Sequence, residues 1–232
     1  MTITLITGAN RGLGYETARR LIEAGHTVWM GARDERLGQQ AADALGGRFV
    51  QLDVTSDDSV ASAAETIAAN GGLDVLINNA GITGPQLPAE QLTAADATDV
   101  LATNVVGIVR TTSAFVPVLR ASSSPRIVNV TSGLGSFALV YDTERIESQF
   151  SAPLYQSSKS AVTMLTLQYA RAYPEMSITA VDPGYTATGL NGFTGPQTVS
   201  EGTDAIVERV LHDGSTGEEF PVFGDRHGAL PF

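Results

Sequence analysis

The chain has 232 residues, enough for one large α/β domain or two small ones. Its formal net charge of −11 argues against nucleic acid or an anionic membrane surface as the main partner. It has no cysteine, which excludes disulfides, thiol nucleophiles and cysteine-bound metals. The three histidines, His26, His212 and His227, lack metal-ligand spacing and read as surface or loop residues, so no metal is expected. Met1 to Ile6 lacks the basic start and long apolar core of a signal peptide, and no apolar run reads as long enough to span a bilayer. A cytoplasmic protein with no membrane partner is the expectation.

Thr2 to Ile6 is a short, β-branched apolar run and predicts a buried strand. Thr7-Gly8-Ala9-Asn10-Arg11-Gly12-Leu13-Gly14 follows at once, then a helix from Tyr15 to Ala24 closed by Gly25, then a strand from Thr27 to Gly31. Strand, glycine-rich turn, helix and strand form the context that a dinucleotide-binding turn requires. Glycines let the backbone approach a pyrophosphate, which sits on the helix N-terminus. An ordinary strand-to-helix turn is the alternative. Past the second strand, where a ribose-binding carboxylate is expected, stand Ala32 and Arg33, with Arg11 inside the glycine turn. Two guanidinium groups suit a 2′-phosphate and favour NADP, although Asp34 can also serve a ribose hydroxyl.

Alternation continues with a helix from Asp34 to Leu45, a strand from Phe49 to Leu52 and then Asp53-Val54. Asp53 either accepts from an adenine amino group or starts the next helix, Ser56 to Asn70. Val75 to Ile77 is a strand running into Asn78-Asn79-Ala80-Gly81, whose small residues leave room for a ligand or simply form a turn. Thr93 to Arg120 reads as one long helix or two, with Asn104 among apolar neighbours. That asparagine either fixes a bend or holds a water. Arg126 to Val130 is a strand ending at Thr131-Ser132-Gly133. A helix from Ala152 to Arg171 follows, then a strand from Ile178 to Val181 that runs into Asp182-Pro183-Gly184-Tyr185-Thr186-Ala187-Thr188. A last helix, Ser200 to Leu211, and an edge strand, Phe220 to Phe223, complete the reading. The pattern predicts one α/β domain over residues 1–232, with a doubly wound parallel sheet of about seven strands, helices on both faces and ligands at the strands' carboxyl ends.

The sharpest local signal is Tyr155-Gln156-Ser157-Ser158-Lys159. Tyr155 and Lys159 are four apart, one turn of helix, and Lys159 is the only lysine in the chain. A chain that otherwise uses arginine for positive charge has kept one compact ammonium. Such a group beside a phenol favours the phenolate and makes the phenol a usable acid or base. A tyrosine and a lysine decorating a helix surface is the plainer alternative.

Taken in order, Thr7 to Gly14, Asn78 to Gly81, Asn104, Ser132, Tyr155, Lys159 and Pro183-Gly184 resemble the short-chain dehydrogenase/reductase family over nearly the whole chain, and the NADPH-dependent carbonyl reductase branch in particular. The resemblance implies a Rossmann-type fold and an oxidoreductase that reduces a ketone or aldehyde, or oxidises a secondary alcohol, with NADP. It implies four catalytic residues. Tyr155 is the proton donor, Lys159 lowers its pKa and binds the nicotinamide ribose, Ser132 holds the substrate oxygen and Asn104 positions a water beside Lys159. It further implies a cofactor site of Gly8, Asn10, Arg11, Gly12, Leu13, Gly14, Arg33, Asp53, Val54, Asn79, Ala80, Gly81, Tyr155, Lys159, Pro183, Gly184, Thr186 and Thr188.

Two departures stand out. The family often has valine where Thr186 stands, and Ser132 and Tyr155 are 23 residues apart, longer than is usual for the family. The extra segment, 133–151, is expected to line the substrate pocket and to disfavour a tetramer, leaving a monomer or dimer. Leu134, Phe137, Leu190 and Phe193 suggest an apolar pocket for a small-molecule substrate, and each can equally be core. The competing functions are an NAD-dependent secondary alcohol dehydrogenase and a non-catalytic dinucleotide sensor.

Overall fold

Strands and helices alternate because the sequence alternates short β-branched runs with longer amphipathic stretches. The computed structural model describes residues 1–212 and 222–232. Its strands are β1 (Ile3–Thr7), β2 (Thr27–Ala32), β3 (Arg48–Gln51), β4 (Val75–Asn78), β5 (Arg126–Val130), β6 (Ser177–Val181), β7 (Phe223–Asp225) and β8 (Gly228–Ala229). They form one sheet in the order β3-β2-β1-β4-β5-β6-β7-β8, parallel except for the final β7–β8 pair. The strand order reverses between β1 and β4, so the loops after these two strands diverge and open a crevice at their carboxyl ends.

The helices are α1 (Gly12–Glu23), α2 (Glu35–Leu45), α3 (Asp57–Ala69), α4 (Ala94–Leu101), α5 (Gly107–Leu119), α6 (Phe137–Tyr141), α7 (Pro153–Ala172), α8 (Val199–Gly202) and α9 (Asp204–Leu211). Successive strand residues face opposite sides of the sheet, so the core has two layers. Ile6, Ile77 and Val128 pack with Leu21 of α1, Ala42 of α2 and Ile206 of α9. Leu5, Leu76 and Ile127 pack with Ile67 of α3 and Phe115 and Leu119 of α5. Caps define several helix starts: Asp34 accepts from the Leu37 N–H, Ser56 from Ser59, and Thr93 forms a reciprocal capping box with Asp96.

One open choice is resolved and three expectations need adjustment. The Thr93–Arg120 stretch is one continuous helical run, with a π-helical turn, Ala102–Val106, between α4 and α5. This run is long and apolar enough to cross a bilayer, contrary to the sequence reading, but here it is a layer helix that buries Ile108, Phe115 and Leu119 on the sheet. The last helix breaks at Thr203 into α8 and α9. The edge strand starts at Phe223 and gains an antiparallel partner, β8; Phe220 and Pro221 of the expected strand lie outside the described residues.

A buried polar chain ties α5 and α7 to the sheet. Thr111 Oγ1 donates to Asn78 Oδ1, Asn78 Nδ2 to Asn129 Oδ1, and Asn129 Nδ2 to Thr166 Oγ1, at 2.8, 2.8 and 2.9 Å. Each member sits in the interior, where a lost partner leaves a buried polar atom unsatisfied. Asn129→Ala is expected to lower stability by about 1–3 kcal/mol, measured by urea unfolding, because it leaves the buried Asn78 Nδ2 without its acceptor and the Thr166 oxygen without its donor.

Candidate active site

The glycine turn is shaped for close backbone approach. Gly8 and Gly12 have φ of +66° and +57°, a region that side chains disfavour. A β-carbon on Gly14 would lie 2.6 Å from both the Gly8 carbonyl oxygen and Asn79 Nδ2. Asn79 holds the turn from the next strand, donating through Nδ2 to the Thr7 carbonyl at 2.8 Å. The N–H groups of Asn79 and Ala80 both donate to Thr7 Oγ1, so Asn79-Ala80-Gly81 and the glycine turn form one ledge over the crevice. At the start of α1, Arg11 is extended, no side chain caps the helix, and its first turn carries no carboxylate. An uncapped, uncontested helix N-terminus above a glycine cradle fits a pyrophosphate.

Around this cradle the expected residues fare differently. Arg11, in the turn itself, and Arg33, just past the end of β2, are both exposed. Asp34 is engaged elsewhere, its Oδ1 capping α2 at 2.8 Å from the Leu37 N–H. Burial works against ionisation of Asp53, but hydrogen bonds from the Thr55 hydroxyl and N–H, with the charges of Arg33 and Arg110, hold its pKa low. Val54 is committed to the core: it packs on Gly107, and its carbonyl accepts from Arg110. Thr186 is likewise occupied, its buried hydroxyl donating to the Pro183 carbonyl at 3.0 Å and to Gln197 Oε1 at 3.2 Å. Thr188 reaches the glycine turn, with its methyl carbon 3.9 Å from where a Gly12 β-carbon would stand. Pro183, Gly184 and Thr188 all line the large cavity beside the cradle.

Helix α7 brings Tyr155 to that cavity and carries Lys159 one turn further along. The Lys159 ammonium is 5.5 Å from the Tyr155 ring centroid and donates to the Val130 carbonyl at 2.9 Å. It stands 3.7 Å from the β-carbon position of Gly81, and the Asn104 side-chain oxygen stands 3.3 Å from the same point. Asn104, 1% exposed in the π-helical turn, accepts from the Ile82 N–H and donates to the Ile82 carbonyl and to Ser158 Oγ. It therefore clamps the loop after β4 to α7, and the π-turn is the local distortion that presents it. Ser132 opens a 3₁₀ turn, Gly133–Gly135, that rests on the backbone of Lys159 and Ser160; a β-carbon at Gly135 would lie 2.6 Å from the Lys159 carbonyl carbon. Ser160 Oγ donates to the Gly135 carbonyl at 2.7 Å.

The electrostatics differ from the expectation that Lys159 lowers the tyrosine. Burial drives the Tyr155 phenol well above its ordinary range, the charge of Asp182 adds to this, and a hydrogen bond from Ser132 opposes it. Burial pulls Lys159 down to about 8, with Asp182 opposing. Desolvation of a group 5% exposed outweighs its neighbours, and the ammonium itself sits over the ring rather than against the phenol oxygen.

The cavity holds about 610 Å³ and is walled by Leu13, Leu87, Leu92, Leu134, Ile146 and Phe150, with Ser132 and Tyr155 at its polar end. Leu134 and Leu190 line it as expected, but Phe137 and Phe193 are 79% and 71% exposed and do not. The 133–151 segment does line the pocket, through Ile146, Glu147 and Phe150. Part of it binds the chain's end, with Ser136 Oγ donating to Pro231 and the Ala138 N–H to Phe232. Leu101, Val106, Val109 and Met164 remain exposed on α4, the π-turn, α5 and α7, so the segment does not cover those side chains. Sequence reasoning missed Asp182 and Glu147 as site residues. The only signal for Asp182 was a carboxylate just before Pro183-Gly184, and nothing in its spacing showed Glu147 returning to the pocket.

The model of the family described as short chain dehydrogenase matches residues 2–198. This chain belongs to that family. It is an oxidoreductase by that membership, and its chain-wide relatives agree. It is 36% identical to the short-chain dehydrogenase anuI of Penicillium roqueforti, covering 98% of this chain and 95% of the relative. It is 30% identical to a (+)-neomenthol dehydrogenase of Capsicum annuum over 294 aligned positions, with 92% and 93% coverage. That alignment is longer than this chain, so the pepper enzyme carries segments with no counterpart here. Among solved structures, the NADPH-bound carbonyl reductase from chicken fatty liver superposes with a TM-score of 0.84 at 26% identity, covering all of both chains.

A buried ammonium costs stability wherever the unfolded chain keeps it charged. Lys159→Met is expected to unfold about 1–3 kcal/mol later than the wild type at neutral pH while losing turnover. Lys159 titrates near 8 folded and near 10.5 unfolded, so between these values the unfolded state holds the extra proton. Wild-type stability should therefore rise with pH across that window, and the gap to the methionine variant should close, in urea titrations at a series of pH values.

Proposed function

We propose that this short-chain dehydrogenase reduces the carbonyl of an apolar ketone or aldehyde with NADPH. The observation that carries the reading is the meeting of Tyr155 and Ser132 at the polar end of one apolar cavity, with the Lys159 ammonium 5.5 Å from the Tyr155 ring behind them. When bound, the nicotinamide supplies the hydride, and the protein supplies placement and proton handling. Ser132 hydrogen-bonds the substrate oxygen. Tyr155 gives that oxygen its proton, and its raised pKa keeps the proton in place until negative charge develops on the substrate. Lys159, ionised at neutral pH and anchored on Val130, offsets that charge and faces the ribose side of the cradle. Asn104 fixes the loop that bounds the ammonium.

The preference for NADP is supported by two exposed guanidinium groups, Arg11 in the glycine turn and Arg33 just past the end of β2, and by the engagement of Asp34 in the α2 cap. A carboxylate facing the ribose would have favoured NAD. The relatives' names, a neomenthol dehydrogenase and an NADPH-bound carbonyl reductase, fit a cyclic or aromatic carbonyl in this cavity.

A screen of cyclohexanone, acetophenone, benzaldehyde and bulkier ketones with NADPH, read at the nicotinamide absorbance, is expected to find turnover. Tyr155→Phe should lower it at least about 10³-fold while NADPH binding by fluorescence stays within a few-fold, and normal turnover in that variant would reject Tyr155 as the acid. Replacing Arg11 and Arg33 together by alanine should weaken NADPH at least about tenfold more than NADH; an unchanged ratio would reject the 2′-phosphate reading.

A further inference from the structure

We propose that Asp182 is a positioning residue for the reaction: its carboxylate clasps the Ser132–Gly133 turn to the Pro183–Gly184 turn and holds a negative charge against Tyr155 and Lys159. The proposal rests on Tyr155 being the acid.

The backbone places this side chain between the two turns. Strands β5 and β6 are paired with Val130 opposite Val181, so the chain leaves the sheet side by side at Thr131 and Asp182. Asp182 is held by its own N–H, which donates to the Gly224 carbonyl of β7 at 2.9 Å. Its Oδ1 accepts from the Gly184 N–H at 2.9 Å. The Gly133 N–H points at the same carboxylate and stabilises its charge. A β-carbon on Gly133 would lie 2.9 Å from Asp182 Oδ2, so the turn carrying Ser132 is built around this group. One carboxylate thus spans the residue that holds the substrate oxygen and the turn that borders the dinucleotide cradle.

The charges around it decide what it can do. Glu147 faces it from the 3₁₀ turn Ile146–Gln149, but is paired in a two-pronged contact with Arg145. Asp225 faces it from β7. Behind the carboxylate, a small cavity of about 30 Å³ is bordered by Glu201, Arg226 and His227. Toward the substrate stand Tyr155 and Lys159, and Asp182 is the one charge that acts on both. Burial, with the charges of Asp225 and Glu147, raises Asp182 to about 6 against its two backbone donors, so it is ionised at neutral pH. A negative charge here keeps the proton on the phenol and on the ammonium alike. It holds the pair in the protonated form from which carbonyl reduction starts, and it opposes the loss of the tyrosine proton that alcohol oxidation needs.

The test is Asp182→Asn, which keeps the shape and removes the charge. The alcohol product of the best ketone in the screen is oxidised with NADP across pH. The tyrosine must lose its proton in that direction, and the variant should reach half-maximal kcat at lower pH, by about one unit. A lower rate with the same half-maximal pH would overturn the proposal and leave the carboxylate a plain hydrogen-bond acceptor. Should the variant not fold, NMR of the wild type labelled at the tyrosine ζ-carbon gives a second readout. The Tyr155 signal is expected to step near pH 6 as Asp182 ionises, and a flat signal there would overturn the proposal. Tyr155→Phe is run alongside. If it keeps turnover, the assignment of the acid fails and this proposal with it. If it is dead but neither the variant's profile nor the wild-type signal behaves as expected, only the role of Asp182 fails.

Discussion

Everything at this site depends on keeping one ammonium inside the protein. Lys159 is almost fully buried, and burial brings its pKa down to about 8 against the opposing charge of Asp182. The Val130 carbonyl at the end of β5 holds the ammonium in one place. A guanidinium is wider, planar and permanently charged, and does not stand in for a compact ammonium whose pKa burial can move. That is the physical reason a chain that is otherwise all arginine keeps this single lysine.

The surroundings are organised to hold α7 at a fixed height on the sheet. The Thr111–Asn78–Asn129–Thr166 chain pins its middle, and Thr131 Oγ1 pins its second turn by donating to the Lys159 carbonyl at 3.0 Å. Buried polar contacts of this kind add little net stability but permit only one arrangement. A slip of α7 along the sheet would leave several of them unpaired at once. The helix is therefore indexed to the strand ends, and the proton-handling side chains with it.

Among the described residues, the cavity lining combines an apolar wall with carboxylates and includes no cation. Glu147 is balanced by Arg145 just outside, whereas the Asp182 charge is held by the Gly184 and Gly133 N–H groups. Such a site disfavours anionic substrates by repulsion and by the cost of desolvating them. The chain's overall negative charge acts the same way at longer range.

The sequence by itself determined the order of the elements and the type of each ligand-facing residue. Glycine, asparagine and proline stand where tight turns end strands, and the Tyr155–Lys159 spacing needed only helical periodicity to put both on one face. Local signals of that kind survive without tertiary context, because they depend on backbone sterics and on residues a few positions apart. Only the tertiary structure decided which side chains had other work. Asp34 went to a helix cap, Val54 to the core and the Thr186 hydroxyl to its own loop, while Phe137 and Phe193 turned outward. It also decided the sign of the tyrosine's shift, since the cost of burial is a property of the whole surrounding volume and not of a neighbour four residues away. Asp182 and Glu147, 35 positions apart in the sequence, became neighbours at Gly133 because the chain leaving β5, the chain leaving β6 and the segment after Ser132 converge at the carboxyl ends of these strands. No periodicity in the chain encodes a meeting of that range.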